Sequence, residues 1–137
     1  MMADKGLITI QARFGVAETI DRLIETVQRA GFLVFARIDH AAGARDVGLS
    51  LRPTELLIFG NPKGGTPLML DRQLAGIDLP VKALAWEDEQ GTVWLSYNDP
   101  HWIAERHALG DASRDAVTAM SEGMEKVIQA AAGTSQP

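Results

Sequence analysis

Hydrophobic period changes early in this chain, and the change restricts the folds open to it. From Leu7 to Phe14 the side chains alternate, with Ile8, Ile10, Ala12 and Phe14 on one face and Thr9, Gln11 and Arg13 on the other. That is the pattern of a half-buried strand. From Val16 to Ala30 the apolar positions become Val16, Ile20, Leu23, Ile24 and Val27, a helical stripe that stops at Gly31. A strand followed at once by an amphipathic helix must bury the stripe against a sheet, so the chain reads as a mixed α and β layer structure.

The later segments extend this reading. Phe32 to Asp39 is β-branched and aromatic on both faces, which predicts a strand more central than the first. Ala41 to Arg52 is glycine-interrupted and reads as a short helix or loop. Pro53 opens a strand over Thr54 to Phe59, since proline is tolerated at a strand's first residue. Thr66 followed by Pro67 is a helix-start signature, giving a short helix from Leu68 to Ala75 behind a 60–66 loop. Val81 to Glu87 and Thr92 to Tyr97 flank Gln90-Gly91 and read as a hairpin with a two-residue turn. That turn sets Trp86 against Leu95 and Trp94 against Glu87, placing one tryptophan inward and the other outward, where Trp94 needs a helix, a ligand or a second subunit to cover it, the C-terminal helix being the plainest choice. Asn98-Asp99-Pro100 starts a helix running to about Leu109. Ser113 to Ala132 closes the chain with Val117, Met120, Met124, Val127, Ile128 and Ala131 on one face, a stripe for the sheet or for a second subunit, and the tail GTSQP is expected to fray. The expected architecture is a two-layer α+β domain over 1–137, with its core over about 6–109. It has a largely antiparallel sheet of about five strands, helices packed on one face and a long C-terminal amphipathic helix.

Composition removes several functional classes. No cysteine is present, which excludes thiol nucleophiles, thiolate zinc sites and iron-sulfur ligation and agrees with a reducing compartment. The formal net charge is -5, and 13 basic residues lie scattered among 18 acidic ones, so there is no cationic stripe for a nucleic acid. No apolar run approaches the roughly 18 residues of a membrane helix, and MMADKGLITI does not read as a signal peptide, so the expected location is the cytoplasm.

Candidate chemistry concentrates at strand ends. Gly60 and Gly65 have phosphate-loop separation, but Thr66 occupies the position such a loop gives to lysine, and Lys63 sits inside it. What remains is a helix N-terminus with Lys63 near it, able to attract a small anion, or simply a capped turn. His40 follows Asp39, yet neighbours in a strand point to opposite faces, so this aspartate is not placed to orient that imidazole. His101 and Glu105 share a helix face without a third ligand, and no serine lies in a Gly-x-Ser-x-Gly elbow, so neither a metal site nor a serine hydrolase is expected.

Four separated stretches, ARIDHAAGA (36–44), GNPKGGTPLM (60–69), IDLP (77–80) and WEDEQGTVWLSYNDP (86–100), together resemble the bacterial family catalogued as domain of unknown function 302, over about Gly6 to Leu109. The resemblance implies a small α+β domain with helices on a largely antiparallel sheet, commonly a dimer, and it supplies no reaction, substrate or cofactor. The family motifs fall on His40, Asn61, Pro62, Lys63, Gly65, Thr66, Pro67, Asn98, Asp99 and Pro100. The expected function is that of a non-catalytic homodimer binding a small molecule or anion between the 60–66 loop and the 98–101 turn. Asn61, Lys63, Gly65, Thr66, Asn98 and Asp99 would be its contacts, with no metal and no cofactor. Two alternatives stand beside it: an enzyme with His40 as general base and Lys63 or Asn98 holding negative charge, and an interaction module using Trp94 or the Met120–Met124 stripe.

Overall fold

The computed structural model of the chain describes residues 5–134. Its elements are β1 (Leu7–Ala12), α1 (Val16–Arg29), β2 (Leu33–Asp39), α2 (His40–Asp46), β3 (Thr54–Gly60), α3 (Pro62–Asp71), a 3-10 segment (Gln73–Asp78), β4 (Lys82–Glu87), β5 (Val93–Asn98), α4 (Pro100–Arg106) and, after a 3-10 turn at Asp111–Ser113, α5 (Arg114–Ala132). The strands form one sheet in the order β1-β5-β4-β3-β2, antiparallel at every step. Helix α1 therefore carries the chain from one edge of the sheet to the other.

The alternation in each strand divides the sheet into two faces. Leu57, Phe59, Ala83, Ala85, Leu95 and Tyr97 face α1 and α5, where Ile20, Leu23 and Val27 meet Met124, Val127, Ile128 and Ala131 in one buried cluster. Ala83 and Ala85 leave room for the helices to settle close to the sheet, and each fully buried Leu or Ile contributes about 1.5–3 kcal/mol. Helices α1 and α5 are also tied end to side. Arg22 of α1 donates from Nε and Nη2 to the carbonyls of Ala131 and Ala130 at 3.1 and 3.0 Å, while its guanidinium lies 4.0 Å from the Phe14 ring centroid. A cation at the C-terminal carbonyls of a helix is favourably placed in the helix field. Gly133 closes α5 in the left-handed region at φ 80°, with Thr134 N donating to Gln129 O; residues 135–137, the rest of the tail expected to fray, lie outside the described residues.

Four local expectations change. The strand expected to be central, β2, is an edge strand, and its apolar second face carries Leu33 and Phe35, both about half exposed. Phe35 sits where the β2–β3 register shifts between Val34 and Ala36.

The hairpin has a three-residue loop rather than a two-residue turn. Asp88 N donates to Thr92 O at 2.9 Å, and Glu89-Gln90-Gly91 span the gap with Gly91 at φ 81°. The register accordingly slips by one residue, pairing Trp86 with Trp94, Ala85 with Leu95 and Glu87 with Val93. A single-residue slip exchanges the faces of one strand relative to the other, so both tryptophans lie on the face away from α1 and α5. The C-terminal helix does not cover Trp94.

Helix α3 begins at Pro62, not after Thr66-Pro67. Asn61 is its N-cap, accepting from Lys63 N at 3.0 Å through Oδ1, and the run Lys63 to Pro67 is helical. Two cap-plus-proline signatures compete here, Asn61-Pro62 and Thr66-Pro67, and the earlier one prevails. Pro67 then lies inside the helix and offers no N–H to the Lys63 carbonyl four residues before it.

A cavity under the start of helix α3

The first turn of α3 overhangs a cavity of about 390 Å³. One wall is the helix itself, with Asn61, Lys63, Gly64, Gly65 and Thr66; the rest comes from Phe32 and Phe35 beside β2, Met69 further along α3, Leu79-Pro80-Val81 ahead of β4, and Ala116, Ala119, Met120 and Met124 of α5. Four distant segments supply this wall, and most of its surface is hydrocarbon, aromatic ring or thioether. Lys63 is its one charged residue among the described residues.

The helix amides that could have held a phosphate are already used. Lys63 N is bound by the Asn61 side chain, and Gly64 N and Gly65 N donate to the Asn61 carbonyl at 2.8 and 3.0 Å. The segment that resembles a phosphate loop is thus a capped helix, and no backbone cradle faces the cavity. Its two glycines are not demanded by the backbone, since neither has positive φ; a Cβ on Gly64 would meet nothing within 4 Å, and one on Gly65 would meet only Leu79 Cδ1 at 3.8 Å.

Asn61, Lys63, Gly65 and Thr66, singled out from the sequence, come together in this wall. Asn98 and Asp99 do not join them. Asp99 is the N-cap of α4, accepting from His101 N at 3.0 Å, and Asn98 ends β5 with its Oδ1 buried and without a partner among the described residues. His101 borders a separate cavity of about 150 Å³ with Arg114 and Thr118. The single pocket expected between the 60–66 and 98–101 segments is therefore two hollows, with α5 contributing to both.

His40 stands apart from both. It is the first residue of α2, exposed, and lines neither cavity, while Asp39 is occupied as N-cap of α2 through Ala42 N at 2.9 Å. Burial, with Glu125 and Asp99 nearby, pushes the Tyr97 phenol up to about 12, so it stays protonated at neutral pH. His107 is held by Asp78 at 2.6 Å, beside an Arg106–Asp78 ion pair at 3.0 Å, and together they tie α4 to the segment before β4. Among the described residues no group of His, Cys, Asp and Glu has metal-ligand geometry.

Sequence reasoning missed the apolar wall, because Phe32, Phe35, Met69, Leu79 and Met120 lie far apart in the chain. Phe35, which borders the hollow, is 52% exposed.

Comparison with known proteins agrees with this architecture. The family model for the domain of unknown function DUF302 matches residues 8–131. An uncharacterized conserved DUF302 protein from Bacillus stearothermophilus, known from a crystal structure, has a TM-score of 0.82 at 20% identity, covering 93% of this chain and 99% of that one. Two proteins named fluoride-specific ion channel FluC 1, from Brucella suis biovar 1 (strain 1330) and Brucella abortus biovar 1 (strain 9-941), are each 53% identical over 130 residues. The match takes in 95% of this chain but only 51% and 48% of theirs, so the chain spans about half the length of these curated relatives. None of the helices in the described residues is long and apolar enough to cross a membrane.

Proposed function

The chain belongs to the DUF302 family, and from that premise we propose that it is a non-catalytic, cytoplasmic, homodimeric protein that binds a small molecule in the cavity under α3. The observation that carries this is the hollow itself. Its volume of about 390 Å³ lies within the usual range for ligand sites, it is largely apolar, and among the described residues its wall has one charged side chain, Lys63. An enzyme reading with His40 as base draws no support from its position at the exposed start of α2.

The fluoride-channel relatives suggest where such a domain works. Half of each of those proteins lies outside the match, and the described residues of the matched half have no helix fit to cross a membrane, so a domain of this type would act beside a channel rather than form its pore. A fluoride ion is small and strongly hydrated and needs converging donors, which an apolar wall with capped amides does not offer.

A second copy is the favoured partner for the sheet face away from α1 and α5. Ile38, Leu56, Leu84, Trp86 and Trp94 lie there by alternation, and the first of them is 38% exposed. Covering such a face is a common reason for a two-layer domain to pair.

The test is a thermal-shift screen of metabolites against the wild-type protein and Met120→Trp, which fills the cavity. Ligands that raise the wild-type melting temperature and leave Met120→Trp unmoved support the assignment. Equal shifts in both proteins would place binding elsewhere and remove it.

A further inference from the structure

We propose, resting on the binding role given above to the α3 cavity, that its ligand is an amphipathic carboxylate: one anionic head and an apolar body, rather than a phosphorylated metabolite or a bare inorganic anion. The body is set by the wall. Phe32, Phe35, Leu79, Met69, Met120 and Met124 offer rings and flexible thioethers, which adapt to an apolar chain and give a charged group nothing to bond.

The head is set by charge. In a chain of net charge -5, no acidic residue among the described residues lines this hollow, and Lys63, the one cation among those that do, has no ion-pair partner among them either. A lysine on its four-carbon stem can lay its methylenes along the rim and bring an ammonium over the mouth. A phosphate would want several N–H groups converging with that cation, and the amides of Lys63, Gly64 and Gly65 are spent on Asn61. A single carboxylate asks for only one such partner.

The glycines point the same way. Gly64 and Gly65 weaken a helix in which neither is required by φ or by protein contact, both border the cavity, and a Cβ on Gly64 would meet no protein atom within 4 Å.

The experiment is calorimetric titration of the full chain with hexanoate, octanoate, decanoate, decanol, inorganic phosphate and sodium fluoride, repeated on Lys63→Met, Met120→Trp and Gly64→Leu. Affinity should rise about fourfold per added methylene until the hollow is full. Decanol, or decanoate with Lys63→Met, should bind about tenfold more weakly, and phosphate and fluoride should give no saturable heat. Either plugging variant, checked as folded by circular dichroism, should abolish binding. Decanol binding as well as decanoate, with Lys63→Met silent, would leave the binding role intact and overturn the anionic head. Phosphate or fluoride binding that depends on Lys63 would overturn the apolar body. Failure of every probe in the wild-type protein would overturn the proposed ligand class, while binding that survives both plugs would overturn the assignment of the cavity as well.

Discussion

Trp86 and Trp94 stand directly opposite each other on β4 and β5, their ring centroids 6.3 Å apart and their planes tilted by 32°. Each indole N–H is satisfied within the chain, Trp86 donating to Ser96 Oγ and Trp94 to Asp88 Oδ2, both at 2.9 Å. The pair therefore presents apolar ring area on a face that no helix of the main core covers, without an unmet polar group to deter a partner. If a second copy is that partner, truncating one ring removes central contact area. Trp94→Ala should weaken the dimer at least tenfold, read as a shift from dimer to monomer mass by light scattering on dilution. A wild-type protein that is monomeric at high concentration would end the dimer proposal.

How these two rings come to share a face shows what the sequence conceals. The periods of β1, α1 and α5 are readable because each buries one face against a single neighbour, and Asp99-Pro100 was readable as a cap because its side chain does that alone. The hairpin depended on one residue of loop length, and the Gln90-Gly91 pair fits a two-residue turn as well as the observed loop. The informative residue was Asp88, whose carboxylate binds Gln90 N and Thr92 N and so favours the longer turn. For α3, glycines at 64 and 65 imitate a loop, and only the packing of α3 against α5 and the following segment shows that the helix tolerates them. Asn61, Lys63, Gly65 and Thr66 were legible as candidates, but the cavity they border was not, since its apolar wall is assembled by tertiary structure alone.

Acid should loosen the hairpin and the α3–α5 junction in one pH window. The Trp94 indole, with the Thr92 and Gln90 amides, holds the Asp88 carboxyl below its ordinary value, and the Ser113 hydroxyl with the Gly110 amide does the same for Asp71. A carboxyl depressed in the folded state stabilises fully above its unfolded pKa, near 3.9, and that contribution fades as pH falls through the lower folded value. Melting temperature should thus be flat from about pH 6 to 5 and fall below about pH 4. Asp88→Asn and Asp71→Asn should each flatten that fall, and an unchanged pH profile in both would count against the assignment.

Arg37 and Glu55 form the most buried ion pair of the sheet's helix-facing side, Arg37 Nε lying 2.7 Å from a Glu55 carboxylate that is 9% exposed. Arg37 also reaches Asp21 at 2.6 Å and the Ala17 carbonyl at 3.2 Å, so it joins β2 and β3 to α1. Removing only the arginine strands a carboxylate that water reaches poorly. Arg37→Met should cost about 2–3 kcal/mol by urea unfolding, and Arg37→Met with Glu55→Leu should recover most of it. Additive losses in the double variant would mean that the two side chains act independently.

Two glycine substitutions should move stability in opposite directions. Gly6 has φ 83°, and a Cβ there would lie 2.5 Å from Trp102 Cδ2, so Gly6→Ala meets both an unfavourable backbone and the ring that covers it. The loss should exceed about 1 kcal/mol and release Trp102 to solvent, visible as a red shift of its fluorescence. Gly64 is helical, without positive φ, and its added methyl would enter empty space. Gly64→Ala should raise stability by about 0.4–1 kcal/mol, because it narrows the unfolded ensemble and improves helix propensity without touching a neighbour. The same methyl enters the ligand's room, so its gain in stability should be accompanied by weaker decanoate binding. A variant that gains stability and binds decanoate as tightly as the wild-type protein would show that the space beside Gly64 is not where the ligand sits.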